Sequence, residues 1–157
     1  MIAELQARSI MALGIETYGR EACEAWARMG RQVRHTLLDG GTFFVAERDG
    51  GLIGVAGWVA DSREADCAWP RYVFVSPAAA GGGTGRKLMQ TVEQSVHAAG
   101  RTRLKLWASL NAVGFYERLG YRQVKPARWP VADGIEMEHR LMAKSLDPRL
   151  VVMDRRC

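Results

Sequence analysis

Residues 75–89, VSPAAAGGGTGRKLM, connect a strand-like segment to a helical one through a cluster of glycines. Glycine costs roughly 0.5–1 kcal/mol relative to alanine within regular structure, so this cluster indicates a special demand on the backbone. Before the cluster, RYVFV is rich in β-branched and aromatic residues, as strands are. After it, apolar residues recur along one face of a predicted helix, at Leu88, Met89, Val92, Val96 and Ala99. Gly100 is the residue expected just beyond the end of that helix.

The order strand, glycines, helix is typical of a site that holds an anion. The first N–H groups of a helix have no partner within the helix, and they carry partial positive charge. Glycines ahead of them let the backbone approach a phosphate without an intervening Cβ. The cluster is not a Walker loop, because Gly85-Arg86-Lys87-Leu88 lacks the Gly-Lys-Ser/Thr ending, and it does not fit G-x-G-x-x-G. Taken alone, it is equally compatible with a plain flexible loop.

The first third of the chain predicts two helices and a β-hairpin. Residues 3–13 and 20–36 have helical composition, and GIETYG is expected to separate them. TFFVAERDGGLIGVAGWVA then contains two strand-like runs that meet at Asp49-Gly50-Gly51, a frequent hairpin turn.

The C-terminal half predicts further strands around one short helix. RLKLWA alternates as a strand does, and NAVGFYERL is helical up to Gly120. Two closing strands, around YRQV and IEMEHRLMAK, are expected on either side of a loop at 126–134. The element order predicts a single α/β domain over 1–145 with a mixed sheet and helices on its faces, followed by a tail at 146–157.

The composition of the 157 residues favours one globular domain with a basic surface. A net charge of +5 suits a phosphate-bearing cofactor; nucleic acid is not favoured, because the basic residues are dispersed and no DNA-binding motif is present. Three scattered cysteines indicate reduced thiols and a cytoplasmic location, and no Cys or His spacing predicts a metal site. No apolar run approaches the ~20 residues of a membrane span, and we expect no signal peptide.

Two segments together resemble the signature segments of the GNAT superfamily of N-acetyltransferases. They are VSP…GGGTGRKLM and, after the next strand, SLNAVGFYERLGY, and the resemblance is most specific over residues 73–121. It implies the GNAT fold: a mixed, mostly antiparallel sheet with helices on both faces and two parallel strands, 71–75 and 103–108, that splay apart. It also implies acetyl-CoA as cosubstrate and direct transfer of the acetyl group to an amine of a small molecule or a protein.

The resemblance assigns the cofactor-binding residues. The pyrophosphate is expected on the loop and helix start formed by Gly81, Gly82, Gly83, Thr84, Gly85 and Arg86. The pantetheine arm is expected to bond like an extra strand along Phe74 and Val75. Ala80 stands where the family usually has Arg or Gln. Because backbone N–H groups supply most of the binding, we expect weaker affinity there and not its loss.

Tyr116 is the catalytic residue that the resemblance implies. The matching tyrosine in the family protonates the leaving thiolate, and a phenol with a pKa of about 10 stays protonated at pH 7. Asn111, at the start of the same short helix, is either a cofactor ligand or the N-cap of that helix.

No general base can be named from the sequence. The acids Asp61, Glu64 and Asp66 precede the third strand, and Glu16, Glu136 and His139 are further options. Tyr18, Trp69 and Trp129 fall near segments that line the acceptor side in the family. The absence of an obvious base leaves a second function open, a non-catalytic GNAT-fold module that binds acyl-CoA as a sensor or partner subunit.

The ends of the chain differ from the family pattern. Relatives usually begin with a strand, whereas here helical sequence starts within two or three residues of Met1, so the sheet edge beside TFFVAER is expected to be bare. RLVVMD at 149–154 is strand-like. We expect it either to cover a sheet edge, in its own subunit or in a homodimer, or to be a disordered tail.

Overall fold

The computed structural model describes residues 1–29 and 42–147. The helices in these ranges are α1 (Ile2–Tyr18), α2 (Arg20–Met29), α3 (Thr84–Ala98) and α4 (Val113–Arg118), with 3₁₀ turns at Pro77–Ala79 and Leu110–Ala112. The strands are β1 (Phe43–Arg48), β2 (Gly51–Ala60), β3 (Cys67–Val75), β4 (Arg103–Ser109), β5 (Arg122–Ala132) and β6 (Ile135–Ser145). They form one sheet in the order β1-β2-β3-β4-β6-β5, in which only the β3–β4 pair is parallel. The predicted fold class is confirmed.

Helices pack on both faces of the sheet. Alternate residues of β4, Leu104, Leu106 and Ala108, are buried in one core with the apolar face of α3. On the other face, Ala22 and Ala25 of α2 pack in a second cluster against β5 and β6. The predicted apolar face of α3 is confirmed at Leu88, Met89, Val92 and Val96. Ala99 is exposed, because the helix ends one residue earlier and turns away through Gly100, whose φ is 77°.

The predicted break between the first two helices was wrong in extent. α1 continues through Gly14 to Tyr18, and only Gly19, with φ 80°, separates it from α2. A Cβ on Gly14 would lie 3.1 Å from the Sγ of Cys23. Gly14 therefore allows α1 and α2 to approach closely, and it does not end the helix. The part of the second predicted helix beyond Met29 lies outside the described residues.

The β1–β2 hairpin turns within the predicted segment Asp49-Gly50-Gly51. Asp49 and Gly50 form a two-residue turn, both with positive φ as a type I′ turn requires, and Gly51 already belongs to β2. The loop predicted at 126–134 was wrong, because β5 runs through it to Ala132 and only Asp133 and Gly134 form the turn. Pro126 and Pro130 are tolerated in β5 because it is an edge strand. Among the described strands it pairs only with β6, so none on its outer side needs the N–H groups that proline lacks.

β1 forms the opposite edge of the sheet, and no described strand pairs with its outer side. The strand-like segment 149–154 lies outside the described residues, so its role and a homodimer stay predictions. Just before it, Leu146 packs against the larger core, and its N–H donates to the Thr102 carbonyl oxygen (2.7 Å).

The loop between β2 and β3 is fixed by Asp61. Its carboxylate accepts hydrogen bonds from the Trp69 indole (2.6 Å) and from the backbone N–H groups of Arg63 (2.7 Å) and Glu64 (2.9 Å). These three bonds, the indole bond first, lower the pKa of Asp61 to about 2. The Trp69 ring held in this way stacks on Trp107 of β4, with centroids 6.5 Å apart.

Asp61→Asn should lower the free energy of unfolding at neutral pH, because an amide cannot replace both carboxylate oxygens as acceptors. A lowered pKa means that ionised Asp61 stabilises the fold above its unfolded pKa near 4, and that this stabilisation is lost as the pH falls toward 2. The difference in urea midpoint between wild type and variant should therefore be constant above pH 5 and shrink below pH 4. A difference that does not change between pH 7 and pH 3 would contradict this account.

Candidate active site

A cleft of about 1060 Å³ opens where β3 and β4 separate. The parallel ladder consists of Cys67↔Arg103 and Ala68↔Leu104, and beyond these pairs the strands diverge. The cleft lies at the upper end of the volumes typical of ligand pockets, so it has room for two substrates. Its walls come from α1, α2, the loop before α3, α4, β5 and β6, in addition to the two separated strands.

β3 presents free backbone edge to the cleft. Its register with β2 shifts between Gly57↔Arg71 and Val55↔Phe74, a bulge at which Tyr72 takes a positive φ of 55°. Alternate residues of a strand direct their N–H and C=O groups to opposite sides, and past Ala68 no described ladder with β4 uses the side away from β2. Phe74 and Val75, both predicted ligands, line the cleft along this edge.

The glycine loop closes one end of the cleft. Gly81 and Gly83 have φ of 76° and 81°, a left-handed conformation that favours glycine, and Gly83 is the N-cap of α3. No side chain caps α3, so the N–H groups of its first turn are available to a ligand. Of the predicted loop residues, Gly81, Gly83, Gly85 and Arg86 line the cleft.

The other two predicted loop residues, Gly82 and Thr84, are not among the residues that line the cleft. Gly82 is exposed, and the Thr84 side chain is buried against β2, where a Cβ on Gly54 would lie 3.2 Å from its methyl group. Thr84 can therefore contribute to an anion site only through its backbone N–H. The sequence predicted Thr84 as a ligand without showing which of its groups would bind.

Tyr116 lines the cleft from α4, with 7% of its surface exposed. Its ring packs edge-on against Phe115 (5.0 Å between centroids) and Tyr121 (5.6 Å). Its hydroxyl has no hydrogen-bond partner among the described residues. Burial raises the pKa of Tyr116 above its usual value near 10, so at neutral pH the phenol is protonated and can donate.

Asn111 is exposed at the cleft, in the 3₁₀ turn that precedes α4. The N-cap positions of the turn and of α4 are Ser109 and Ala112, and neither element has a side-chain cap bond. The N-cap interpretation of Asn111 was therefore wrong: the turn moves it outside the capping position and leaves its side chain free to reach a ligand.

The acids considered as general bases lie elsewhere. Asp61 holds its loop, Glu64 pairs with Arg103 (2.6 Å) and with Lys105, and Asp66 pairs with Arg103 (3.5 Å). Glu16 and Glu136 do not line the cleft, and within the described ranges no carboxylate does. His139 does line it, and is 4% exposed.

Tyr18 connects the elements around the site and does not line the cleft. Its hydroxyl donates to the Glu138 carbonyl oxygen of β6 (2.6 Å) and accepts from the N–H of Leu110, the residue after β4 (2.6 Å). Of the aromatic residues expected on the acceptor side, Trp129 lines the cleft. The other two pack against residues that line it: Trp69 stacks on Trp107, and Tyr18 stacks on His139.

Two polar residues of α1 were missed from the sequence. Gln6 and Ser9 are buried and line the cleft, and the Oε1 atom of Gln6 has no hydrogen-bond partner among the described residues. A buried acceptor without a donor is costly, so Gln6 is placed to receive a ligand N–H. The sequence did contain a signal for them: Gln6 and Ser9 lie between Leu5 and Ile10, which are apolar and mark the buried side of the helix.

Comparison with known proteins was made on sequence and on structure. The sequence profile of the acetyltransferase (GNAT) domain matches residues 39–123, more than half of the chain. The chain belongs to the GNAT acetyltransferase family. A search of curated protein sequences gave no significant match.

Solved GNAT-fold structures cover nearly the whole chain. A GCN5-related N-acetyltransferase from Rhodopseudomonas palustris has a TM-score of 0.77 at 26% identity, covering 92% of this chain and 88% of that one. PaiA N-acetyltransferase from Thermoplasma acidophilum, in complex with coenzyme A, has a TM-score of 0.72 at 20% identity, with 92% and 90% covered. YncA from Salmonella typhimurium, with acetyl-CoA, has a TM-score of 0.64 at 22% identity, with 93% and 87% covered.

Two further findings bear on this GNAT domain. In residues 1–29 and 42–147, no three His, Cys, Asp or Glu side chains are grouped to hold a metal ion. No helix in the same ranges has both the length and the apolar character needed to cross a membrane.

Proposed function

We propose that this chain transfers the acetyl group of acetyl-CoA directly to a primary amine. The observation that carries the proposal is the cleft between the separated strands β3 and β4. It has the uncapped N-terminus of α3 at one end, and Tyr116 lines it. This arrangement combines an anion site, a free strand edge and a proton donor in one cavity.

The residues present fit acetyl-CoA. The pyrophosphate binds the backbone N–H groups from Gly81 to Gly85, and the pantetheine amides pair with the edge at Phe74 and Val75. Arg86 and Arg118 both line the cleft and add positive charge where Ala80 supplies none. Asn111 and Gln6 are further polar groups that can bond to the bound arm. The fold holds coenzyme A in PaiA and acetyl-CoA in YncA, which supports this assignment.

Tyr116 stabilises the leaving thiolate. When the amine nitrogen attacks the thioester carbonyl, the carbon–sulfur bond breaks and negative charge develops on sulfur. A phenol whose pKa is raised by burial does not give up its proton readily, so Tyr116 acts chiefly as a hydrogen-bond donor to the sulfur. The benefit is therefore expected at the low end of the general-acid range.

A second function, acyl-CoA binding without turnover, is favoured by one observation: no carboxylate lines the described cleft. Release of coenzyme A thiol from acetyl-CoA, measured over a panel of primary amines, separates the two functions. Amine-dependent release supports acetyl transfer. Binding of acetyl-CoA without release from any amine would instead support the sensor or partner subunit.

Gly83→Ala should weaken acetyl-CoA binding about tenfold or more, because an L-residue with φ near 81° is strained and its relief rotates the N–H groups of the loop. Gly100→Ala is the matched control, since Gly100 has φ 77°, lies beyond the other end of α3 and does not line the cleft. Both variants should lose about 1 kcal/mol of stability, because alanine is strained at a positive φ. Titration calorimetry that finds equal affinity for acetyl-CoA in the two variants would contradict the assigned site.

Tyr116→Phe should keep its fold and its acetyl-CoA affinity, and lower kcat about 100-fold. The ring and its packing stay, and only the donor to the sulfur is lost. Tyr121→Phe is the control, because Tyr121 is a buried neighbour whose hydroxyl bonds to Glu93 (3.2 Å) and does not line the cleft. The measurement is the turnover number at saturating acetyl-CoA. An unchanged kcat in Tyr116→Phe would show that this tyrosine only packs.

A further inference from the structure

His139 lies on the floor of a pocket made of aromatic rings. We call this the aromatic pocket, and the five residues that line it within the cleft are Trp26, Phe74, Trp107, Trp129 and His139. The Trp129 ring stacks on the imidazole (4.6 Å between centroids, 24° between planes), and the Trp26 ring meets it edge-on (6.1 Å). His139 pairs with Ser109 at the last residue of β4, so the pocket adjoins the separated strands.

The hydrogen bond of His139 determines which ring nitrogen can accept a proton. Nδ1 lies 3.1 Å from the Met137 carbonyl oxygen. A carbonyl oxygen can only accept, so Nδ1 carries the hydrogen and Nε2 of the neutral ring has a free lone pair. Nε2 has no hydrogen-bond partner among the described residues, and His139 lines the cleft.

The groups that face His139 leave it neutral at physiological pH. Tyr18 of α1 is the titratable neighbour (6.3 Å between rings), and its hydroxyl bonds to Glu138 and Leu110. The other described neighbours, Trp26 of α2, Trp129 of β5 and Ser109 of β4, carry no charge. Glu138 and Arg140 pair with each other on the opposite face of β6. Burial lowers the pKa of His139 below its usual value, and the Met137 bond offsets part of this effect.

We propose that the acceptor amine binds in the aromatic pocket and that Nε2 of His139 takes the proton that this amine loses. The inference rests on the proposed acetyl transfer, and it gives that reaction a base where no carboxylate of residues 1–29 and 42–147 lines the cleft. The amine attacks as the neutral base, after its ammonium proton has gone to solvent. Its nitrogen bonds to the thioester carbonyl carbon, and the carbon–sulfur electron pair leaves on sulfur. The nitrogen proton moves to Nε2, the thiolate takes a proton from water, and His139 returns its proton to solvent. The products are the acetamide and coenzyme A thiol.

The pocket also defines the class of acceptor. Flat rings on several sides fit an amine carried on an aromatic or apolar body. The charged residues that line the described cleft are Arg71, Arg86 and Arg118, and all are cationic. A polyamine would have to lose water from several ammonium groups without a carboxylate to pair them. A monoamine loses only one charge there, and the apolar surroundings lower its pKa and ease its deprotonation.

The test of the base uses the pH dependence of kcat/KM with 2-phenylethylamine, for wild type, His139→Ala and His97→Ala. His97 is an exposed histidine on α3 outside the cleft, so His97→Ala should match wild type. His139→Ala should be about 100-fold slower at pH 7.5. Because protonation removes the base, the wild-type advantage should shrink as the pH falls below 6.5. A ratio that stays constant from pH 5 to pH 8 would overturn the proposal and leave His139 as a wall of the pocket.

Wild type alone provides a second test if His139→Ala does not fold. Its plot of log kcat/KM against pH should steepen below pH 6.5, where the amine and His139 both bind protons. A slope that stays at one throughout would overturn the role of His139.

The test of the acceptor class compares 2-phenylethylamine with spermidine at pH 7.5. We expect kcat/KM to favour the monoamine by about tenfold or more. A preference for spermidine would overturn the assigned class. In each of these cases thiol release with some amine would still support acetyl transfer, whereas a lack of release with every amine would reject the proposed function itself.

Discussion

The parallel pairing of β3 and β4 stops after Cys67↔Arg103 and Ala68↔Leu104, and the whole site depends on that separation. It leaves one edge of β3 without a described ladder and opens the sheet at its centre. Contacts on either side of the gap hold in place the elements that form the cleft. Gly85 allows Phe115 to pack against the start of α3, where a Cβ would lie 3.2 Å from the Phe115 ring. Tyr18 joins α1 to β6 and to the residue after β4.

The acids of the 61–66 loop show how the surrounding structure limits the chemistry of the cleft. Asp61 and Glu64 are used to position Trp69 and to pair with the basic residues of β4, so neither is free to take a proton from a substrate. Trp69 in turn stacks on Trp107, which lines the cleft. Asp61 thus orients Trp69, which packs behind a lining residue of the cleft, and its carboxylate lies outside the cleft itself. In the proposed reaction the groups that donate and accept protons are Tyr116 and His139, which are both neutral at physiological pH.

Local patterns in the sequence predicted those features that depend on neighbouring residues. The alternation in β4, the Asp49-Gly50 turn and the glycine loop before α3 are of this kind. The family resemblance singled out Tyr116, and that residue does line the cleft. Predictions failed where tertiary context decides. Gly14 resembles a helix break until its contact with Cys23 is seen, and Pro126 resembles a loop until β5 is known to be an edge strand. The aromatic pocket was not predictable, because residues from Trp26 to His139 meet there only in the folded sheet.

Hydrogen–deuterium exchange with and without saturating acetyl-CoA tests the central claim most directly, since it reports on individual segments of wild-type backbone. The account predicts slower exchange in peptides covering residues 74–75 and 81–86, where the strand edge at Phe74 and Val75 and the helix start bond to the ligand. It predicts no change around Glu93 and His97, at the far end of α3. Binding that left both of the first two segments unchanged, or that protected the far end of α3 instead, would contradict it.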